Sequence, residues 1–454
     1  MGQALRDHRL RDRHQNRPAG AAPVSGRRRR GSGDVAVSTL GKIIGTASVL
    51  TGAVGAVALG GVTAQRRAVR RYRQLAGDQD TGFDSLDADR SYTVAAPDGV
   101  ALHVEEVGPV DAPLTVVFAH GWTLRLGAWH FQRIALSGNR SAAEYAARRV
   151  AATTAEPAGA GAAAGADPEE LPGLPDSQHG ELPDRELPTL RLVFFDQRSH
   201  GKSGRAGSGR STIAALAEDL DAVLATAAPT GRVVLVGHSM GGMAILQLAA
   251  DRPELFGSPV AGFALVDSSA QFASTSSRPA LLGGNPLVRA VTATAGRYPR
   301  LFERGRPLTR DAVWLLTRSF GFADPNVPAA VVDYVDQMIS SVPVDVIADF
   351  LPAVLGHDVR EGLPVLAPLP GVVIVGQDDR MIPLTQSQAL VDALPHTDLV
   401  VVPDAGHNVM LESPDVTTDA LRELIRRVAR APEPAKNPAG KSTRKRSVNK
   451  RAGR

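Results

Sequence analysis

The sequence predicts an α/β protein in which helices cover both faces of a mostly parallel central sheet. Short apolar runs typical of buried strands, such as Leu114–Trp122 and Arg191–Gly204, alternate with stretches of helical spacing. One such stretch, Ser211–Ala228, is amphipathic and begins at a serine or threonine that can cap a helix. Strands and helices that alternate in this way form a parallel sheet between two helical layers.

The elements follow in order from Tyr92. A hairpin comes first, with Pro97-Asp98-Gly99 as its turn. Val233–Ala249 has the pattern of a strand that passes through glycines into a helix. Further strands are predicted within Val260–Ser268, Gly371–Pro383 and Thr397–Glu412, and a terminal helix over Thr417–Ala431.

Composition divides the chain into a globular domain and flanking segments. The two ends are basic and poor in apolar residues, which predicts disorder. Inside the domain we expect a low-complexity insertion rich in Ala, Gly, Pro and acidic residues, and a mostly helical lid that contains the helix-like stretches Leu287–Gly305 and Ala329–Val342. The predicted segments are a disordered basic end at 1–39, a membrane anchor helix at 40–65, a linker at 66–91, the globular domain at 92–430 with the insertion at 137–189 and the lid at 269–362, and a disordered basic tail at 431–454.

Positive charge is concentrated at the two ends of the chain. Residues 1–73 contain 15 Lys and Arg against 3 Asp and Glu, and residues 431–454 contain 8 against 1. Because the whole chain has a net charge of only +4, the part between them is acidic. Basic ends bind anionic lipid or nucleic acid. No RNA-binding aromatic motif and no recognisable DNA-reading helix accompanies them, so the predicted partner is a membrane surface and not a nucleic acid.

The stretch Ile43–Gln65 carries no charge and is just long enough to span a bilayer as a helix. It predicts a membrane-associated protein with a single N-terminal anchor, and arginines on both flanks leave the orientation of the anchor open. A cleaved secretory signal ending at Val62-Thr63-Ala64 is an alternative, although the five arginines that follow argue against export. A segment that does not span a membrane, in a cytoplasmic protein, is the other alternative.

The motif around Ser239 raises three chemical possibilities. Its glycines, in Gly237–Gly242, lack the Lys-Ser/Thr pair of a phosphate-binding loop and do not fit the G-x-G-x-x-G dinucleotide fingerprint. They fit G-x-S-x-G, the nucleophile elbow, in which a sharp strand-to-helix turn exposes the serine hydroxyl and small neighbours relieve the crowding. Ser239 is therefore a predicted nucleophile, with a simple helix cap as the alternative. The absence of cysteine excludes a cysteine nucleophile, disulfides and thiolate metal sites.

A serine nucleophile needs a base, and the base needs a group that orients it. Asp379 and His407 stand downstream in the order Ser, Asp, His that this elbow expects. Each follows an apolar strand, and the carboxyl ends of parallel strands meet at one edge of a sheet. We therefore expect Ser239 to attack an acyl carbonyl, His407 to take its proton and return it to the leaving group, and Asp379 to orient the imidazole.

Five motifs in this order resemble those of the α/β-hydrolase superfamily, in the branch that includes epoxide-hydrolase-like and haloperoxidase-like serine esterases. The resemblance extends over about Tyr92–Ala429 and implies the α/β-hydrolase fold with an inserted lid. The anchor-like segment is also similar to that of membrane-associated actinobacterial hydrolases. The motifs are His120–Trp122 (HGW), Asp196–Ser203 (DQRSHGKS), Gly237–Gly242 (GHSMGG), Gly376–Pro383 (GQDDRMIP) and Ala405–His407 (AGH).

The resemblance implies which acid serves the histidine. The family pattern G-x-x-D, followed by Arg and a nearby Pro, selects Asp379 over its neighbour Asp378. Asp267 follows an earlier strand, where some lipases carry the acid, and is the other alternative. Epoxide hydrolases and dehalogenases of this fold carry Asp at the position of Ser239. The serine here favours hydrolysis of an ester, thioester or amide, or of a carbon–carbon bond.

The resemblance also implies the rest of the site. The backbone amides of Trp122 and Met240 are expected to form the oxyanion hole. Trp122 and Trp129 are candidates for the acyl pocket, with core packing as the alternative. The histidines expected to support loops rather than act as the base are His120, His200 and His238.

The predicted function is that of a serine hydrolase that cleaves a carboxylic ester, lipid-derived or otherwise apolar, through an acyl-enzyme intermediate. An acyltransferase or perhydrolase on the same triad and a non-catalytic ligand-binding protein of this fold are the alternatives. No cofactor is expected. No metal site is expected either, because the histidines are scattered and no H-E-x-x-H motif occurs.

Overall fold

The described residues form one eight-stranded sheet. The computed structural model describes residues 82–137, 187–271 and 313–432, together with residues 67, 69, 70 and 311. The sheet has the order β1-β2-β4-β3-β5-β6-β7-β8, in which β2 is antiparallel to both its neighbours and all other pairs are parallel. The predicted mostly parallel sheet is confirmed. Its strands are β1 (Arg90–Ala95), β2 (Ala101–Val107), β3 (Leu114–Ala119), β4 (Leu190–Phe195), β5 (Arg232–His238), β6 (Val260–Val266), β7 (Gly371–Gly376) and β8 (Thr397–Val402).

Helices cover both faces of the sheet. Because successive side chains of a strand point to opposite faces, Val116 and Val117 of β3 lie in two separate hydrophobic clusters. Helices α2 and α3 pack in the cluster of Val117, and α1 and α9 pack in that of Val116. The helices are α1 (His130–Leu136), α2 (Ile213–Ala227), α3 (Met240–Asp251), α4 (Ala329–Ser341), α5 (Val344–Leu355), α6 (Leu363–Leu366), α7 (Leu384–Ala393), α8 (Val409–Glu412) and α9 (Pro414–Arg430).

Local sequence signals explain where several elements begin. The Thr212 side chain accepts a hydrogen bond from the Ala215 amide and caps α2, as predicted. In the hairpin of β1 and β2, Gly99 has a φ of 87°, which glycine adopts without strain. Helix α9 begins at Pro414, three residues before the predicted Thr417, because proline is tolerated in a first helical turn.

The predicted lid is described in part. Helices α4 and α5 and a helical stretch over residues 313–321 lie within it, and α4 matches the predicted stretch Ala329–Val342. The predicted helix Leu287–Gly305 lies outside the described residues, as do the anchor at 40–65, most of the insertion and nearly all of both basic ends. Part of the predicted linker is described, and there the Phe83 ring stacks on Tyr334 of α4, with 4.0 Å between centroids.

Within the described ranges, no single helix is long and apolar enough to cross a membrane. Helices α4 and α5 meet the length and composition only as a pair, and the pair is bent by 97°.

Candidate active site

Ser239 stands at the sharp turn between β5 and α3. Its φ of 49° and ψ of −115° are unusual for a residue other than glycine, and they turn the chain directly from the strand into the helix. A Cβ atom at Gly237 would lie 2.6 Å from the Gly241 carbonyl carbon, and one at Gly241 would overlap the Ala119 carbonyl. The two glycines of G-x-S-x-G are therefore required by the close approach of backbone segments around the turn.

The structure brings Ser239, His407 and Asp379 together at the carboxyl edge of the sheet. His407 Nε2 lies 3.1 Å from Ser239 Oγ, and His407 Nδ1 lies 2.8 Å from Asp379 Oδ2. All three side chains belong to residues that are buried, with 5–6% of their surface exposed. A serine, an imidazole and a carboxylate hydrogen-bonded in this order have the geometry of a nucleophile, its base and the orienting acid.

Asp379 is held so that one of its oxygens faces the imidazole. Its other oxygen, Oδ1, accepts hydrogen bonds from the amides of Met381 at 2.7 Å and Ile382 at 2.9 Å. The neighbouring Asp378 is exposed, so of the two aspartates the sequence left open here, Asp379 is the one at the histidine.

The three histidines that the sequence assigned to loop support each bind backbone groups. His120 Nε2 accepts the Gln197 amide at 3.0 Å, and His200 Nε2 accepts the Thr123 amide at 3.2 Å. Burial lowers the pKa of His120 to about 4 and that of His200 to about 3, so both rings are neutral at pH 7. His238 Nε2 lies 2.8 Å from the carbonyl oxygen of His407, and burial holds the pKa of His238 well below its usual range.

The backbone around the nucleophile includes both amides predicted to form the oxyanion hole. Met240 is the first residue of α3, and an amide in that position has no partner within its helix. Gly121 packs against the nucleophile, because a Cβ atom there would lie 3.3 Å from Ser239 Cβ, and Trp122 follows it directly.

The two tryptophans proposed for the acyl pocket differ in position. Trp122 is partly buried beside the cluster that contains α3. Trp129 is 0% exposed, and its ring packs 5.2 Å from that of Phe118 of β3. A side chain enclosed in this way cannot line a pocket, so for Trp129 core packing replaces the predicted contact with substrate.

A turn of the lid segment binds the loop that carries His407. The Asn408 amide donates to the Gly321 carbonyl at 2.9 Å. Glu412, at the end of α8, accepts the amides of Ala323 at 2.7 Å and Asp324 at 2.6 Å through Oε1, and that of Gly406 at 2.6 Å through Oε2. The sequence did not single out Glu412, because an acid after an apolar run carries no local signal that it will be buried and shared between two segments.

A match to a known family covers more than half of the chain. The family model described as alpha/beta hydrolase fold matches residues 171–414. The chain belongs to the α/β-hydrolase family.

Curated relatives of this α/β hydrolase include two kinds of bacterial enzyme. A protein of Variovorax paradoxus, provisionally named carbamate hydrolase RutD, is 28% identical over 248 residues, which is 54% of this chain and 85% of that protein. The pimeloyl-[acyl-carrier protein] methyl ester esterase of Xanthomonas campestris is 26% identical over 251 residues, which is 54% of this chain and 88% of that protein.

Solved structures of other proteins share the fold. An esterase from Exiguobacterium antarcticum is 18% identical with a TM-score of 0.52, and the match covers 74% of this chain and 100% of that one. The enol-lactonase of Burkholderia xenovorans is 21% identical with a TM-score of 0.52 and the same coverage. At these identities the likeness shows the architecture of this α/β hydrolase.

Proposed function

We propose that the protein is a serine hydrolase that cleaves a carboxylic ester through Ser239, His407 and Asp379. The broader conclusion, that it is a hydrolase acting on ester bonds, follows from its family and from relatives named for ester and carbamate hydrolysis. The observation that supports the finer proposal is the continuous hydrogen-bonded chain from Ser239 Oγ through the imidazole to Asp379.

In the proposed reaction, His407 Nε2 accepts the Oγ proton as Ser239 attacks the acyl carbonyl. The amides of Met240 and Trp122 stabilise the oxyanion, and removal of one such donor costs about 10²–10³ in rate. His407 then donates the proton to the departing alcohol oxygen, which leaves an ester of Ser239. Water, activated by the same imidazole, releases the acid and restores the serine hydroxyl. Throughout, Asp379 holds the Nδ1 proton and stabilises the imidazolium.

We further propose an apolar, lipid-derived ester as the substrate. Helix α5 of the predicted lid packs beside the loop of Trp122, where the buried Phe350 ring lies 5.4 Å from that of His200. An anchor within residues 43–65 would hold the protein at a surface where such esters are found.

Labelling with a fluorophosphonate, which reacts with activated serines, tests the nucleophile. The wild-type protein should be labelled and should hydrolyse p-nitrophenyl esters, and Ser239→Ala should do neither. Ser269→Ala is the matched control, since Ser269 is also buried beside a histidine, with Oγ 3.2 Å from His357 Nε2. Labelling that survives in Ser239→Ala would contradict the proposal. Addition of an alcohol or of hydrogen peroxide would divert the product if the protein were an acyltransferase or perhydrolase.

Fractionation of cells tests the proposed membrane attachment. The full chain should sediment with membranes and be released by detergent, whereas a chain without residues 1–73 should stay in the supernatant. A full chain found in the supernatant would contradict the attachment without affecting the proposed chemistry.

A further inference from the structure

Asp267 lies between the loops that carry Asp379 and His407. It follows β6 and is 0% exposed. Its Oδ1 accepts the amide of Gly376 at 2.9 Å and its Oδ2 accepts that of Val409 at 3.1 Å. Gly376, the last residue of β7, accepts the Asp379 amide at 3.1 Å, and Val409 is two residues after His407. One carboxyl group therefore ties the loop of the acid to the loop of the base.

The backbone of Asp267 is held in an unfavourable conformation. Its φ is 44°, in the left-handed region that residues other than glycine rarely adopt. The Asp267 amide donates to the Ile374 carbonyl of β7 at 2.8 Å. Strained residues persist where the surrounding structure fixes them, and they concentrate at functional sites. In this conformation the carboxyl group reaches both loops.

The surroundings of Asp267 make an ionised carboxyl group costly. Asp379 and Glu412 face it from the two loops, and an Asp267 oxygen lies within 4.8 Å of ring nitrogens of His238 and His407. Burial, reinforced by the charge of Asp379, raises the pKa of Asp267 well above its usual range. These atoms do not form a cation site, because both Asp267 oxygens and both His407 nitrogens are already hydrogen-bonded.

We propose that Asp267 is a positioning residue that fixes the distance between Asp379 and His407. The inference rests on the proposed function, since it concerns the same triad. Asp267 acts through two backbone amides, and its described side-chain hydrogen bonds include none to Ser239. If the two loops lose their common anchor, the 2.8 Å contact between His407 Nδ1 and Asp379 Oδ2 lengthens. A displacement of 1 Å in such a site can cost about 10²-fold in rate.

The test compares Asp267→Asn with the wild-type protein in hydrolysis of a p-nitrophenyl ester. Asparagine keeps one acceptor oxygen and replaces the other with an NH₂ group that cannot accept an amide N–H. We expect kcat to fall about 10- to 100-fold with KM within about twofold of wild type, because Asp267 acts on the triad and not on the substrate. Rates are normalised to sites labelled by fluorophosphonate at completion, so unfolded protein is not counted.

Asp219→Asn is the matched control. Asp219 lies on α2, away from the triad loops, and is also 0% exposed. Its carboxylate pairs with Arg198 at 2.6 Å. This variant should lose stability but keep kcat per labelled site. Equal losses of kcat in the two variants, or a wild-type kcat in Asp267→Asn, would overturn the proposal.

Val409→Pro removes the hydrogen bond between the Val409 amide and Asp267 Oδ2 by deleting its donor. Val409 is the first residue of α8, where proline is tolerated because the amide has no partner in the helix. It should reproduce the fall in kcat at constant KM. Failure of both variants to fold would also overturn the proposal, since Asp267 would then hold the fold rather than the triad. Activity that persists in Ser239→Ala would instead refute the proposed function, so the two failures are distinct.

Discussion

At Ser239, one backbone conformation decides where the hydroxyl group lies. The motif around it could be recognised from sequence because its requirements are local: a strand, a strained residue between two glycines and a helix within a few positions. Asp379 and His407 could be placed for a similar reason, since each follows a strand of its own. The contacts between them are not local, and the sequence predicted only that they meet at one edge of the sheet.

Asp379→Asn is expected to lower kcat about 10⁴-fold with little change in KM. Ser239 can transfer its proton to His407 only when Nδ1 is protonated and Nε2 is free to accept. The asparagine side chain would face Nδ1 either with an NH₂ group or with an oxygen that is a weaker acceptor than a carboxylate, and both disfavour that tautomer. Steady-state kinetics on a p-nitrophenyl ester measure the effect.

Asp378→Asn provides the control for Asp379→Asn. This neighbour is exposed, and its removal should leave kcat within about twofold, as surface changes usually do. A comparable loss in both variants would argue against Asp379 as the acid.

At the scale of elements, the lid turn at residues 319–324 joins both loops of the triad. It contacts the loop of the acid through Arg380, whose Nη1 donates to the Ser319 carbonyl at 2.9 Å. It contacts the loop of the base through Asn408 and Glu412. A displacement of this turn would therefore be transmitted to the loops that carry Asp379 and His407.

Glu412→Gln is expected to loosen the lid turn and to lower the free energy of unfolding by ~1–3 kcal/mol. The carboxylate accepts three backbone amides, and a carboxamide can accept on one side only, so at least one buried N–H is left without a partner. Urea unfolding measures the loss, and hydrogen exchange at Ala323, Asp324 and Gly406 should accelerate.

Glu423→Gln is the control, because Glu423 is half exposed on α9 and pairs with Arg426 at the surface. Its effect should be within about 0.5 kcal/mol. Unchanged exchange at the lid turn in Glu412→Gln would contradict the expected coupling.

Elements with a strong periodic signal were predictable, and those without one were not. The hairpin, α2, α4 and α9 have clear alternation, spacing or caps. Helix α7 was missed because half of its residues, Leu384–Ala393, are polar and it buries only Ser387 and Leu390. The burial of Glu105 and Glu106 in β2 was also not predictable, since their arginine partners come from distant parts of the chain.

At the scale of the whole molecule, Glu105 links three parts of the fold. It lies in β2, accepts a hydrogen bond from Arg133 of α1 at 2.7 Å and pairs with Lys202 after β4 at 3.2 Å. The hydrogen bond with His103, together with Arg133, lowers the pKa of Glu105 to about 2. This contact is therefore stabilising only while Glu105 is ionised.

The unfolding free energy of the wild-type protein should show this dependence on pH. A depressed pKa in the folded state gives stability that is complete above about pH 4.5, the value in the unfolded chain, and is lost as pH falls towards about 2. Glu105→Gln should therefore be less stable than wild type at pH 7, by roughly 2 kcal/mol, and the difference should shrink below pH 4.5. Urea unfolding between pH 7 and pH 3 measures it.

Glu254→Gln provides the comparison for Glu105→Gln. Glu254 is exposed and pairs with Arg252 at the surface, where solvent screens the charges. Its substitution should change the unfolding free energy little at any pH. If the difference in unfolding free energy between wild type and Glu105→Gln stays constant with pH, it does not arise from the ionisation of Glu105.

The point at which the 138–186 stretch rejoins the fold has a practical consequence. That stretch connects the end of α1 to the beginning of β4, whereas the triad lies past the carboxyl ends of the strands. A strand of six residues such as β4 spans ~20 Å, so the chain resumes roughly one strand length from the Ser239 hydroxyl group. A fluorescent reporter or an affinity handle spliced into this stretch would be followed by a chain that resumes at the beginning of β4, at the amino edge of the sheet. The enzyme thus offers a built-in site for fusion that leaves both the lid and the triad loops uninterrupted.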